Sequence, residues 1–152
     1  MARDERLKHF DERLKPFADL AGVDLRRVAM NRCDLSSALM NFANCSDTTM
    51  VDSVFRGTRF YGATLDGANV GRSDLTEASL CFTSLRQAIL DNTILCRASL
   101  ICADLSYANL SYADLTDACM KKANLTGANL KGAILKGAKL AGAIMPDGTI
   151  HD

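Results

Sequence analysis

A chain of 152 residues is the size of one domain and long enough to bury a substantial core. Lysine plus arginine is 18 and aspartate plus glutamate is 18, so the formal net charge is zero, whereas a general nucleic-acid binder would carry a basic excess. No apolar run reaches the roughly 18 residues that a membrane-spanning helix needs.

The opening stretch MARDERLKHFDERLK lacks the apolar centre of a signal peptide and is too rich in acids for a transit peptide. A cytoplasmic protein is therefore expected. Within this stretch and just beyond it, Leu7, Phe10, Leu14 and Phe17 fall three, four and three residues apart, which is one face of an α-helix. Asp4 is placed to cap that helix, and Pro16 to end it near Lys15. The expectation is a short N-terminal capping α-helix within residues 1–17. A partner-binding amphipathic arm is the alternative. Charges of both signs on the other face argue against a membrane role.

From Ala18 to Asp147 the chain repeats every five residues without an insertion. Every fifth residue from Leu20 to Met145 is one of 17 Leu, 5 Met, 2 Phe, Val70 or Cys45. The residue two before each is one of 17 Ala, 4 Thr, 2 Ser, 2 Val or Cys33. Neither set contains a charge, so each unit turns one large and one small residue inward and three outward. A helix cannot do this, because positions five apart differ by about 140° around its axis. A flat strand cannot either, because odd spacings alternate faces. A chain that turns one corner per unit can. Glycines at the fifth position, such as Gly57, Gly62 and Gly127, suit such a corner.

The units ADLSY, ANLSY, ADLTD, ANLTG and ANLKG resemble the pentapeptide-repeat family, whose pattern is A-(D/N)-L-x-x. The resemblance is looser between Val28 and Gly62, where VAMNR, ALMNF, TTMVD and SVFRG keep the inward pair but lose the Asp or Asn. It implies an all-β fold, a right-handed quadrilateral β-helix with four units per coil. The 26 units of residues 18–147 then make about six and a half coils, a rod about 30 Å long at roughly 4.8 Å per coil. Met30, Met40, Met50, Phe55 and Phe60 predict a wider or less regular shaft in the first half. Residues 148–152 form a tail beyond a Pro146-Asp147-Gly148 turn, with Ile150 as a candidate plug. The ending GAIMPDGTIHD is similar to those of cyanobacterial members.

Catalytic chemistry is not expected. His9 and His151 are the only histidines, neither has metal-ligand spacing to cysteine, and no phosphate-binding, serine-hydrolase or zinc-protease motif occurs. No cofactor or metal is implied. The repeated Asp34, Asp74, Asp104 and Asp114 are expected to bond the backbone at corners. Cys33 and Cys45 fall on inward positions, and Cys81, Cys96, Cys102 and Cys119 on outward ones. A Cys81–Cys102 disulfide is conceivable, but reduced thiols are the expectation in a cytoplasmic chain.

Sorting outward residues by a 20-residue coil separates four faces. Asp24, Arg26, Asp66, Arg86 and Asp104 share a solvated face, and so do Arg32, Asp52, Arg72, Asp91 and Lys131. A third face holds five acids (Asp34, Asp74, Glu77, Asp114, Asp117) against three bases (Arg56, Arg97, Lys136). The fourth carries Leu39, Phe42, Arg59, Tyr61, Phe82 and Ile101, then Lys121, Lys122 and Lys139. An apolar stripe with a basic end predicts a contact surface for a protein partner. The alternative is that its aromatics merely cover the shaft edges.

Three functions follow as expectations. The first is a non-enzymatic scaffold that presents a rigid face to a regulatory protein, with a cyanobacterial setting implied by the resemblance. The second, also implied by the family, is a DNA mimic that binds DNA gyrase; it wants an acidic excess that a neutral chain lacks. The third is a self-assembling rod. No nucleic-acid or membrane partner is expected, and the chain is expected to be a monomer or weak dimer.

Overall fold

The computed structural model describes residues 14–152. Leu7 and Phe10, and the body of the expected capping helix, lie outside the described residues.

The five-residue period becomes a coil with four sides. Each unit makes one short extended contact and then a tight turn. Parallel bridges join each contact from Asp19 to Asn124 to the residue 20 positions later, as in Leu39 to Arg59, Asn44 to Thr64, Thr49 to Asn69 and Val54 to Asp74. That constant offset builds four parallel ladders. The first runs through Asp19, Leu39, Arg59, Ser79, Ser99, Cys119 and Lys139. The second passes through Asp104, the third through Asn109 and the fourth through Asp114.

The unit around Leu105 shows why this backbone is stable. Leu105 N donates to Asn124 O at 2.7 Å, Tyr107 N to Thr126 O at 2.8 Å and Asn109 N to Ala88 O at 2.9 Å, all between coils. Ala108 N closes the turn on Leu105 O at 3.0 Å. The remaining amide, Ser106 N, has no carbonyl in reach and donates to Asp104 Oδ1 at 3.0 Å. Every donor of the unit is thereby satisfied. The Asp or Asn of the repeat thus supplies the acceptor that the backbone cannot.

In three units where that residue is missing, the coil before supplies one. Val51 N donates to Asn31 Oδ1 at 2.8 Å, Tyr61 N to Asn41 Oδ1 at 3.1 Å and Arg86 N to Asp66 Oδ1 at 3.1 Å.

The turns share one conformation. The fifth residue of the unit is left-handed whether or not it is glycine, with φ 58° at Tyr107, 57° at Phe82 and 63° at Gly62. A positive φ at the third position of a turn closed from its fourth residue to its first is what a type II turn requires. Phe17 belongs to this series. It was expected on the buried face of the capping helix, but its φ is 62° and it is 77% exposed. Pro16 is the reason, because proline favours the second position of such a turn. Ala18 N closes the turn on Lys15 O at 3.1 Å, so Phe17 becomes a corner. Leu14 does pack, partly buried, against the core.

The shaft is filled by the inward pair. Leu20, Leu105, Leu110 and Leu115 are completely buried, and so are Met40, Met50, Phe55 and Phe60. Phe55 and Phe60 meet edge to face with centroids 5.6 Å apart. The turns after Met30 and Met50 lack the direct closing bond. Ser53 Oγ accepts from Cys33 N at 3.2 Å, and Ser73 Oγ accepts from Ser53 N at 3.0 Å. Inward hydroxyls elsewhere reach carbonyls, as Thr58 does Leu35 O and Thr83 does Phe60 O. Among the described residues no buried side-chain nitrogen or oxygen lacks a partner.

At the far end the chain folds back. Ile144 and Ile150 form an antiparallel bridge, Gly142 N donates to His151 O at 2.7 Å, and His151 N donates to Ala143 O at 2.8 Å. The plug is one of backbone only, since the Ile150 side chain is 69% exposed.

Candidate interaction surface

The corner between the first and second ladders carries the exposed aromatics. Phe42 and Phe82 occupy its left-handed position two coils apart, and Tyr61 occupies the preceding turn position in the coil between them. Phe42 and Tyr61 pack edge to face at 5.6 Å and 82°, and Tyr61 and Phe82 at 5.5 Å and 61°. Phe42 leans over the next coil, where a Cβ on Gly62 would come within 2.7 Å of its ring. Only a glycine leaves that space. The three rings remain 65%, 44% and 57% exposed in chain order. They therefore form a continuous ladder without being buried by the shaft.

The remaining stripe residues divide. Leu39 and Ile101 are half-buried, while Arg59, Lys121, Lys122 and Lys139 are exposed. Lys121 and Lys122 follow Cys119 on one coil, and Lys139 pairs with Cys119 from the coil below. The stem of Lys122 lies over Gly142, whose Cβ would sit 3.3 Å from Lys122 Cγ. Aromatic and cationic residues thus occupy one corner on successive coils.

The other surfaces are laced with ion pairs. Arg72 meets Asp52 at 2.8 Å, Arg86 meets Asp66 at 2.5 Å, Arg97 meets Glu77 at 2.9 Å and Arg56 meets Asp74 at 2.6 Å. The first three join residues 20 positions apart, so they also reinforce the stacking register. Hydrogen bonds from the Ser36 and Thr116 hydroxyls hold Asp34 and Asp114 below the usual carboxylate range.

All six cysteines are free thiols. Cys45 is fully buried and its thiol is pushed up to about 12 by desolvation, which makes it inert. Burial also raises Cys33. Cys81 Sγ lies 3.1 Å from Ser99 Oγ. Among the described residues no group of three His, Cys, Asp or Glu is arranged to hold a metal ion, and no helix is long and apolar enough to cross a membrane.

Two features, one on this corner and one on the two corners that follow it, escaped the sequence reading. The edge-to-face contacts require knowing that Tyr61 leans toward both neighbouring coils. Tyr107 and Tyr112, 65% and 57% exposed, were not singled out, although each ring lies over a glycine of the next coil (Gly127 and Gly132) just as Phe42 lies over Gly62. The signal was an aromatic 20 residues before a glycine.

Comparison with known proteins agrees with this geometry. The family described as pentapeptide repeats matches in eight copies, over residues 18–57, 38–76, 53–90, 82–117 and 108–145. Among solved structures, HetL, a pentapeptide-repeat protein involved in heterocyst differentiation regulation from the cyanobacterium Nostoc sp. strain PCC 7120, is 25% identical. The match covers 99% of this chain and 100% of HetL, with a TM-score of 0.36. A trypsin-treated variant of QnrB1, a plasmid-mediated fluoroquinolone resistance protein, is 17% identical over 86% of this chain and 74% of its own, with a TM-score of 0.61. A pentapeptide-repeat protein of the cyanobacterium Cyanothece 51142 is 23% identical over 88% of this chain and 91% of its own, with a TM-score of 0.35. No curated protein sequence matches. The QnrB1 likeness supports the shared fold alone, and the right-handed quadrilateral β-helix is the form these neighbours imply. With the repeat profile spanning nearly the whole coil, this chain belongs to the pentapeptide-repeat family.

Proposed function

We propose that this protein is a non-enzymatic scaffold that meets a protein partner along the aromatic corner. The observation that carries the reading is the ladder of Phe42, Tyr61 and Phe82, contiguous yet exposed. Two of these rings sit at left-handed positions, where a bulky side chain costs about 1 kcal/mol or more relative to glycine. Contiguous aromatic rings left exposed there are the kind of surface that a second protein covers. A coil whose ladders are hydrogen-bonded to the coils on either side has little entropy left to lose on docking. The tail's similarity to cyanobacterial members sets the proposal in a cyanobacterial regulatory context, and six free thiols fit a cytoplasmic one.

The test is capture from cyanobacterial lysate by tagged wild type and by the Phe42→Asp, Phe82→Asp double variant. Aspartate tolerates the left-handed conformation, so the variant keeps its circular dichroism spectrum and its melting temperature to within a few degrees. The expected outcome is a protein retained by wild type and lost from the variant. Equal retention by both would remove the corner from the contact.

The gyrase-mimic reading wants an acidic excess, whereas this chain has no net charge and Asp52, Asp66, Asp74 and Glu77 each meet an arginine. End-to-end assembly does have an observation behind it. The amides of Leu130, Gly132, Leu135, Gly137 and Leu140 have no backbone acceptor among the described residues, and Leu130, Leu135 and Leu140 are only partly buried. Sedimentation across a concentration series tests it. A weak dimer should appear that Leu135→Asp abolishes.

A further inference from the structure

We infer that the aromatic corner recognises an acidic protein segment, one that places an apolar side chain against Phe42, Tyr61 and Phe82 and carboxylates against Lys121, Lys122 and Lys139. This rests on the docking reading above and adds the chemistry of what docks.

The charge distribution along the corner is one-sided. From Leu39 to Gly142 its turn positions and first-ladder positions contain no acid. Asp19 bounds it above and Asp152 below. Ion pairs among the described residues all lie on other surfaces, and Arg59, Lys121, Lys122 and Lys139 have none. On the neighbouring second ladder, Asp104 is engaged by Ser106 N at 3.0 Å and by Asn124 Nδ2 at 3.2 Å. Elsewhere this protein offsets arginines with acids at the 20-residue spacing. Here it leaves a cluster of cations without counter-charge, which favours an anionic surface and disfavours a basic one.

Dimensions fit a short stretch of chain. At roughly 4.8 Å per coil, Phe42 and Lys122 are about 19 Å apart along the rod. An extended segment rises about 3.3 Å per residue, so about six residues reach from the first ring to Lys122 and about seven to Lys139, one coil further on. The order is fixed: the apolar anchor meets the early coils and the acids meet the late ones.

A single-stranded nucleic acid also offers negative charge, but the rings argue against it. Base stacking needs free ring faces. Phe42, Tyr61 and Phe82 are turned edge to face against one another at 82° and 61°, so ring edges occupy part of those faces.

The experiment is selection from a random-peptide display library on the full-length protein. Selected peptides are then measured by fluorescence anisotropy against wild type, Lys121→Glu/Lys122→Glu/Lys139→Glu and Phe42→Asp/Phe82→Asp. Fluorescent oligouridylate is measured in parallel. The expected result is enrichment of Asp or Glu beside an aromatic or aliphatic anchor. Charge reversal at these exposed lysines should weaken binding about tenfold or more, and so should high salt. Peptides without acidic bias, or acidic peptides that the charge-reversed variant binds equally, overturn the inference. So does tight binding of oligouridylate, or no enrichment at all. Loss on the phenylalanine variant alone leaves the corner as the docking site while removing the acidic partner. Loss on the lysine variant alone keeps the acidic chemistry and removes the aromatic contact.

Discussion

Asp114 stands two residues before an amide that no carbonyl reaches. It accepts from Thr116 N at 3.0 Å and from Thr116 Oγ1 at 2.5 Å. Alanine at this position strands the amide and should cost about 1 kcal/mol in urea unfolding. Asparagine keeps the acceptor and should be nearly neutral at pH 7. The same carboxylates govern the acid limb of stability. Asp34 and Asp114 are held below the ordinary carboxylate range in the folded chain by their Ser36 and Thr116 partners. Unfolding returns them to that range, so the unfolded chain binds protons first as pH falls. Their contribution is complete above the ordinary carboxylate range and is lost as pH drops through the lower folded-state values. Thermal melts from pH 7 to pH 3 should show this loss, and Asp34→Asn with Asp114→Asn should make it shallower. At Gly62 the backbone is left-handed and Phe42 covers the space a methyl would need. Gly62→Ala should therefore destabilise by about 1–2 kcal/mol in the same assay.

The coil as an element is largely legible in the sequence. The period of five, the uncharged inward pair and the 20-residue stacking all follow from which residues are apolar. What stayed hidden depends on contacts between residues 20 apart. Asn31, Asn41 and Asp66 read as ordinary outward polar residues, yet they replace the acceptors missing from the units of the next coil. That substitution lets the units TTMVD and TRFYG keep the same coil without an Asp or Asn of their own. Phe17 was misplaced for a related reason. Its spacing from Leu14 fits a helix, but Pro16 fits a turn, and the closed turn to Lys15 decides between them. The narrowness of the shaft can be measured directly. Ala108 is buried beside Leu110, and Ala108→Leu should overpack it by about 1–3 kcal/mol or more in denaturant unfolding.

At the scale of the whole rod, stability is a sum over neighbouring coils, and the terminal coil has one neighbour fewer. Hydrogen exchange should record this as a gradient. The amides of Leu85, Leu90 and Leu95, bonded to the next coil at 2.7 Å, should be among the slowest. Those of Leu130, Leu135 and Leu140, with no such bond among the described residues, should exchange far faster. Uniform protection along the rod would contradict this picture.

The 20-residue register also turns chain length into an angle. Neighbours on the surface are residues whose numbers differ by one full circuit, so a length change that is not a whole circuit rotates everything downstream. Removing residues 103–107 would leave the shaft intact in pattern, yet it would swing Lys121 and Lys122 a quarter-turn. They would then stack beneath Cys96 and Arg97 in place of Ile101 and Cys102. Removing or adding a full circuit would shorten or extend the corner and keep its composition in phase. Inheritance of this surface among relatives is therefore governed by remainder rather than by length, and two chains with well-matched repeats can display unrelated faces.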